Sequence, residues 1–111
     1  MQNKIVFKIA ASLAVQALLF APTYAQSMNV DVTKSSLRWE AGKVVGDPHY
    51  GSIQLTEGVL EMNDNAIASG SFTIDMTSMT NEDLGAMGGG KLIGHLNSDD
   101  FFSTSSHPQA Q

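Results

Sequence analysis

Apolar and polar residues alternate with a period of two over most of the chain after residue 36. Four runs show it, with apolar positions at Leu37, Trp39 and Ala41; Ile53 and Leu55; Leu60 and Met62; and Phe72, Ile74 and Met76. Because successive side chains of a β-strand point to opposite faces, each run has one apolar and one polar face. This pattern is typical of an antiparallel sheet with one solvated side, so the predicted fold class is all-β.

Residues that favour turns separate these runs. A loop is predicted at residues 46–48 (Gly-Asp-Pro), and residues 63–65 (Asn-Asp-Asn) tolerate left-handed backbone and can close a hairpin. Gly58 predicts a turn or a bulge that separates the second run from the third. With a further short strand at residues 29–32, the simplest topology is a meander of adjacent hairpins.

The periodicity changes in the last third of the chain. Four glycines between residues 85 and 90 predict a loose, flexible segment. Leu92, Ile93 and Leu96 then follow at helical spacing, which predicts one short helix of about two turns near the C-terminus. Residues 103–111 are almost entirely polar, so we expect a disordered tail there.

Residues 1–25 have the three-part layout of a secretory signal peptide. Lys4 and Lys8 give a basic start, and residues 9–21 are almost wholly apolar. Small residues at the −3 and −1 positions then predict cleavage after Ala25. A membrane-spanning helix needs about 20 apolar residues, and this run is nearer the length of a signal-peptide core. We therefore expect the mature chain to be periplasmic or secreted.

Composition and charge narrow the classes of partner. The chain has 6 Lys and Arg against 11 Asp and Glu, a net charge of −5, and no Cys. Nucleic acid is not an expected partner, because binding phosphates needs a clustered basic surface. Cleavage after Ala25 would leave four basic residues against eleven acidic ones, a net charge of −7, and we expect no stable membrane insertion afterwards. Without Cys there are no disulfides and no thiolate metal ligands.

Candidate catalytic or metal-binding side chains are few. His95, Asp99 and Asp100 lie within six residues, but this spacing matches no zinc motif. His49 and His107 have no local partners, and no nucleophile elbow, P-loop or dinucleotide fingerprint occurs. We therefore predict no metal, no cofactor and no enzymatic activity. The alternative, a hydrolase that uses His95 and Asp99, would need turnover of a lipid ester that depends on His95.

Several short motifs occur in the order found in a known family. They are SLRW at residues 36–39, HYG at 49–51, GSFTIDM at 70–76 and GHLNSDDFF at 94–102. The last resembles the family signature His-Leu-x-Ser-x-Asp-Phe-Phe, with Ser103 where an acidic residue is expected after the two phenylalanines. With these motifs in this order, the chain resembles the YceI-like family of exported bacterial proteins.

The resemblance implies a lipocalin-like antiparallel β-barrel whose apolar tunnel binds a polyisoprenoid chain, such as the tail of an isoprenoid quinone. The implied function is that of an exported protein that sequesters or carries an isoprenoid lipid. The side chains expected to line the cavity are Leu37, Trp39, Ile53, Leu55, Leu60, Phe72, Ile74 and Met76. A packed core is equally compatible with the alternation, because core and cavity-lining positions share the inward face of each strand.

The number of strands is smaller than the resemblance implies. Four clear strands and one short strand are roughly half of what a closed barrel of this family needs. We therefore expect a partial YceI-like domain over residues 26–102, an incomplete half-barrel whose open edges favour self-association. The alternative function is that of a truncated, non-functional fragment of such a carrier, because an open sheet cannot enclose a lipid tail.

Overall fold

The computed structural model describes residues 5–15 and 25–111. These residues form a five-stranded antiparallel sheet and one α-helix near the C-terminus. The elements are β1 (Ile5–Val15), β2 (Gln26–Lys43), β3 (His49–Asn63), β4 (Ala66–Asp75), a 3-10 turn (Met76–Ser78), α1 (Ala86–Asn97) and β5 (Gln109–Ala110). The strands lie in the order β1-β2-β3-β4-β5, and the sheet does not close. The all-β class and the incomplete barrel are thus confirmed.

β2 is longer than the alternation predicts. The short strand predicted at residues 29–32 and the run that starts at Leu37 both belong to it, and the register with β3 shifts between Asn29 and Leu37. Asp31 organises the irregular part, because its Oδ1 accepts hydrogen bonds from the Thr33 backbone N at 3.0 Å and the Thr33 hydroxyl at 2.6 Å. A bulge therefore absorbs the polar residues that interrupt the apolar pattern.

Gly58 lies inside β3, so the two runs predicted on either side of it form one strand. The two irregularities in the pairing with β4 fall between Leu55 and Glu57 and between Glu61 and Met62 instead. Gly58 is closely packed, since a Cβ at this residue would lie 2.9 Å from Val30 Cγ2 and 3.0 Å from Phe72 Cδ1. The glycine therefore permits close side-chain packing and does not end a strand.

The hairpin between β3 and β4 is confirmed. Asn63 pairs with Ala66, so the loop consists of Asp64 and Asn65. Their φ angles are 48° and 65°, the left-handed values that a two-residue type I′ turn needs at both positions. Asn and Asp adopt this region more readily than most other side chains. The local turn chemistry alone was sufficient to locate this hairpin.

α1 is longer than the two predicted turns, and it includes the glycines expected to form a flexible segment. Residues 88–90 lie within the first half of the helix. Gly89 is buried, and a Cβ there would lie 3.0 Å from Asn81 Oδ1. The small residue lets the helix approach the chain before it, and this tertiary contact offsets the low helix propensity of glycine. The prediction of a loose segment is therefore wrong.

Residues 103–111 are folded onto the sheet, which differs from the predicted disordered tail. Thr104 is buried, and its N–H donates to Asn97 O at 3.1 Å. Met76 N–H donates to Pro108 O at 2.9 Å, and β5 pairs with the last residues of β4. Backbone hydrogen bonds, which need no apolar side chain, hold this polar segment in place.

β1 consists of residues that the sequence assigns to the signal peptide. It pairs with β2 in antiparallel orientation, with Phe7 opposite Ala41. The apolar segment satisfies backbone groups at an edge of β2 that would otherwise be unpaired. Residues 1–4 and 16–24, which include most of the predicted cleavage motif, lie outside the described residues. Cleavage after Ala25 therefore stays a prediction.

The apolar faces of β2, β3 and β4 meet α1 in one buried cluster. Its buried members are Val30, Leu37, Trp39, Ala41, Ile53, Leu55, Leu60, Met76, Met79 and Leu96. Leu96 comes from α1, and Leu92 and Ile93 of the same helix pack against the cluster. The apolar stripe predicted for the helix therefore covers one end of the apolar face of the sheet.

Candidate functional site

Of the eight residues predicted to line a cavity, seven lie on one face of the sheet, and Met76 lies in the 3-10 turn that follows β4. The register pairs Leu37 with Ile53 and Leu55 with Ile74, and paired residues of antiparallel strands project to the same side. Of the eight, Leu37, Trp39, Ile53, Leu55, Leu60 and Met76 are buried in the apolar cluster, and Phe72 and Ile74 are partly buried against it. The structure brings them together as a core, and contact with a ligand stays a prediction.

Trp39 is the most enclosed side chain of this core, with 0% of its surface exposed. Its Nε1–H donates to Thr80 O at 2.7 Å, and its ring stacks on Phe7 with centroids 6.0 Å apart. Gly51 lies opposite Trp39 on β3, where an added Cβ would overlap Thr80 O and lie 2.7 Å from the Thr80 carbonyl carbon. The missing side chain at residue 51 therefore allows Thr80 to approach and accept the indole hydrogen bond.

The segment at residues 78–83 runs along the first half of β3. Thr80 N–H donates to Ser52 O and Glu82 N–H donates to Tyr50 O, each at 2.9 Å. These bonds continue the edge that β4 pairs farther along β3. They place the start of α1, which follows this segment, next to the end of the sheet.

A row of aromatic rings leads from Trp39 to the surface at this end. Phe7 stacks on Trp39 and contacts Phe102 edge-on at 5.2 Å between centroids. Phe102 contacts Phe101 at 5.1 Å, and Phe101 contacts the His95 ring at 5.8 Å, again edge-on. Edge-to-face geometry suits the ring quadrupoles. The row therefore connects the core of the sheet with the residues of α1.

A cavity of about 450 Å³ lies where this row ends, between α1 and the connection from β2 to β3. Its lining includes Ala41, His49, Leu92, His95, Leu96 and Phe101. Because Ala41 and Leu96 also belong to the buried cluster, the floor of the cavity is continuous with the core. Its volume is within the range of about 300–1,000 Å³ that small-molecule sites occupy.

None of the eight predicted lining residues contributes to this cavity, so sequence reasoning missed it. The helical spacing of Leu92 and Leu96 places both on one face of α1. However, which strand end the helix covers depends on the path of residues 78–83, which carries no periodic pattern. The signal available in the sequence was the motif at residues 94–102, which supplies three of the lining residues.

His49 is held by a carboxylate 34 residues later in the chain. Its Nδ1 lies 2.7 Å from Asp83 Oδ2, while Asp83 Oδ1 accepts hydrogen bonds from Tyr50 N at 3.0 Å and Asn81 Nδ2 at 2.7 Å. Partial desolvation acts to raise the pKa of Asp83, but the hydrogen bonds from His49, Tyr50 and Asn81 together lower it to about 2. Asp83 is therefore ionised at neutral pH, and Nδ1 of His49 donates the proton that they share.

The hydrogen-bonded carboxylate of Asp83 predicts a loss of stability in acid. Because its pKa of about 2 in the folded chain is below the unfolded value of about 3.9, its stabilising contribution is present above pH ~4 and lost as the pH falls towards about 2. In Asp83→Asn, the free energy of unfolding should decrease less over this interval than in the wild type. Urea denaturation at several pH values measures it. Asp100→Asn, at an exposed side chain, should keep the wild-type dependence; equal slopes for Asp83→Asn and the wild type would contradict the assignment.

His95 and Asp99 are not paired within residues 5–15 and 25–111. The His95 ring packs against Phe101, and Asp99 Oδ1 accepts a hydrogen bond from Ser103 Oγ at 2.6 Å. The described residues contain no group of three or more His, Cys, Asp or Glu that could hold a metal ion. In the same part of the chain, no helix has the length and hydropathy needed to cross a membrane.

The open antiparallel sheet, its one-sided apolar cluster and the helix over one end define an incomplete, lipocalin-like barrel. More specifically, the chain belongs to the YceI-like family, because the profile of the YceI-like domain matches residues 28–111. The match includes residues 103–111, in agreement with their place on the sheet. Members of this family bind isoprenoid lipids and are typically periplasmic. Neither a curated protein nor a solved structure gives a significant match.

Proposed function

We propose that this chain is an exported protein that binds an isoprenoid chain and sequesters or carries it in an apolar site. The observation that carries the proposal is the match to the YceI-like domain over residues 28–111. The cavity supports it, because its floor continues into the apolar cluster. Burial of apolar surface contributes about 25 cal/mol per Å², so affinity for a long prenyl tail needs no catalytic group.

The tail would extend from the cavity along the inner face of the sheet. Ala41 and Leu96 form the beginning of this path, and Phe72 and Ile74 on β4 lie farther along it. The last two are only partly buried, so apolar surface is available for a ligand there. In this proposal, Phe72 and Ile74 of the eight residues named from the sequence contact the tail, the six buried ones form the core beneath it, and the cavity receives the other end of the molecule.

Two neighbouring valines offer a matched test of prenyl binding. Val45 lines the cavity and is 85% exposed, whereas Val44 is 71% exposed and does not line it. Because both side chains are largely solvated, replacing either with Asp should change the free energy of unfolding by no more than about 0.5 kcal/mol. Val45→Asp places a charge beside the ligand and should weaken binding of farnesol about tenfold, measured by equilibrium dialysis.

Val44→Asp should bind farnesol as the wild type does. Equal weakening by both variants would mean that general charge, not the cavity, governs binding. No binding of farnesol to the wild-type chain would contradict the proposed function itself.

Export is the second part of the proposal. If residues 1–25 act as a signal peptide, the chain recovered from the periplasm or the medium should begin at Gln26, which N-terminal sequencing reads directly. Cleavage would also remove Phe7 from the Trp39 ring and uncover the edge of β2. Recovery of the uncleaved chain from the cell interior alone would contradict export.

The open sheet favours a second candidate, a non-functional fragment that associates through its edges. The supporting observation is that the five described strands leave the barrel unclosed. Unpaired strand edges are templates for pairing with another chain. If the chain is such a fragment, we expect concentration-dependent association in sedimentation experiments and no binding of farnesol. The same dialysis experiment therefore distinguishes the fragment from the isoprenoid carrier.

A further inference from the structure

The outer edge of β4 carries an unpaired stretch of backbone. Within the described part of the chain, the strand beyond β4 is β5, and it pairs with Ile74 and Asp75. Residues 66–71 of β4 are exposed. The strand therefore presents backbone donors and acceptors along residues 66–73, which can act as a template for another strand.

This edge lacks the features with which natural proteins block the addition of a strand. Charged side chains, above all Lys, and Pro are the usual ones, and residues 66–73 contain neither. The opposite edge of the sheet is different. β1 carries Lys8, and β2, which removal of residues 1–25 would uncover, carries Arg38 and Glu40. β4 is therefore the edge at which another strand meets the least resistance.

The direction of the backbone groups along β4 follows from one hydrogen bond. Met76 N–H donates to Pro108 O in the segment that leads into β5, so the backbone of Met76 faces the outer edge. Because the backbone groups of a strand point alternately to its two sides, those of Ile74, Phe72 and Gly70 face the same edge. Gly70 and Phe72 can therefore share their N–H and C=O groups with another chain.

Residues 69–73 are complementary to a second copy of themselves. They follow the second irregularity in the pairing with β3 and precede the residues that β5 covers. In an antiparallel pair centred on Ser71, Gly70 of each chain lies opposite Phe72 of the other, and the two residues exchange both backbone hydrogen bonds. Phe72 packs on the apolar face of the sheet, so its ring would lie beside a residue that has no side chain.

The polar face and the charge of this segment also favour a second copy. In the same alignment Ser69 lies opposite Thr73, and Ser71 lies opposite its own counterpart. Cross-strand pairs of hydroxyl side chains can hydrogen-bond to each other. The chain has a net charge of −5, but residues 66–73 carry none of it, so no like charges meet along the edge. The segment therefore matches itself in size on one face and in hydrogen bonding on the other.

We propose that β4 is a dimerisation edge, at which a second copy of this chain pairs in antiparallel orientation about a two-fold axis at Ser71. The two five-stranded sheets then form one continuous sheet with both apolar faces on the same side. Such an interface uses the same patch on both chains, so assembly stops at the dimer. Phe72 and Ile74 lie next to the junction, and the dimer widens the apolar surface around them. The pairing itself does not depend on the proposed prenyl binding.

Single cysteines test this alignment directly, because the chain has no Cys. The Cα atoms of the two Ser71 residues would lie about 4.5 Å apart, within the range that a disulfide spans. Ser71→Cys in the full chain should therefore form a covalent dimer on oxidation with copper phenanthroline, read by non-reducing electrophoresis. Ser69→Cys is the matched control, exposed on the same edge. Its two copies would lie about 13 Å apart along the strands, so this variant should stay monomeric in the same assay.

Sedimentation velocity over a range of protein concentrations measures the association itself. The wild-type chain should convert between monomer and dimer without larger species. Ser71→Lys places two like charges directly opposite each other and should weaken the dimer about fivefold. Ser105→Lys, the same change at an exposed side chain outside β4, should associate as the wild type does.

The outcomes decide between this edge and other modes of association. Equal cross-linking of Ser71→Cys and Ser69→Cys, or cross-linking of neither, would overturn the alignment. Association that continues beyond the dimer, or that Ser71→Lys leaves unchanged, would place the contact elsewhere and overturn the proposal. None of these measurements uses a lipid, so their failure leaves prenyl binding untouched, and the dialysis of farnesol tests that function separately.

Discussion

Replacing Trp39 with Ala should lower the free energy of unfolding by about 3–5 kcal/mol, the usual cost of truncating a large buried aromatic side chain. The residue is 0% exposed, stacks on Phe7 and donates to Thr80 O at 2.7 Å. The change therefore leaves a cavity and removes the indole hydrogen bond at once. Because folded domains are stable by only about 5–15 kcal/mol, this loss is a large share of the total.

Urea denaturation followed by circular dichroism is the suitable measurement, since the chain's single tryptophan is the residue removed. Trp39→Phe should cost less, about 1–3 kcal/mol, because it keeps much of the ring but still removes the donor to Thr80 O. Val44→Ala, at an exposed side chain, should change stability by less than about 0.5 kcal/mol. A loss below about 1 kcal/mol in Trp39→Ala would mean that the side chain is not enclosed.

Gly51→Ala is the second change with a large expected effect, a loss of about 3 kcal/mol in the free energy of unfolding. The new methyl group would overlap Thr80 O and lie 2.8 Å from Trp39 Nε1. Neither neighbour can move freely. Thr80 is bound through its N–H to Ser52 O at 2.9 Å, and its carbonyl holds the indole.

Gly90→Ala is the matched control, because nothing lies within 4 Å of a Cβ at that residue. Gly90 is inside α1, where Ala is favoured over Gly by about 0.5–1 kcal/mol, so this variant should be slightly more stable than the wild type. The same chemical change is thus expected to have opposite signs at two positions. Similar losses in both variants would show that Thr80 does not approach β3 as described.

The two large predictions bear on function as well as on stability. Residues 78–83 are held against β3 at a junction formed by Trp39, Gly51 and Thr80, and α1 follows that segment. Loosening the junction should therefore displace the helix wall of the cavity. Variants at Gly51 that still fold should bind farnesol more weakly than Gly90→Ala does, although neither residue lines the cavity.

Some features of the fold depend on local sequence patterns, and those features were predicted from the sequence. The inward positions of β2, β3 and β4 follow from the period of two, and the type I′ turn follows from Asp64 and Asn65. The motif at residues 94–102 supports membership of the YceI-like family, which the profile match over residues 28–111 confirms. Each of these features depends on residues that are close together in the sequence, so the local sequence was sufficient to predict it.

The wrong predictions concern two segments whose structure depends on tertiary contacts. The glycines at 88–90 disfavour a helix locally, yet α1 includes them because Gly89 packs against Asn81. Residues 103–111 have few apolar side chains, yet a backbone bond to Met76 and the pairing of β5 with β4 hold them. In both segments a tertiary contact outweighs the local preference.

The sequence by itself determined which side chains face inward, where the chain reverses between β3 and β4, and the family to which the chain belongs. The tertiary structure alone decided that His49 meets Asp83 and that Leu92 and Leu96 of α1 line a cavity together with Ala41. The reason is physical: strand periodicity and turn geometry depend on the sterics of adjacent residues. A contact between residues 34 positions apart depends on how the whole sheet and the segment after β4 pack.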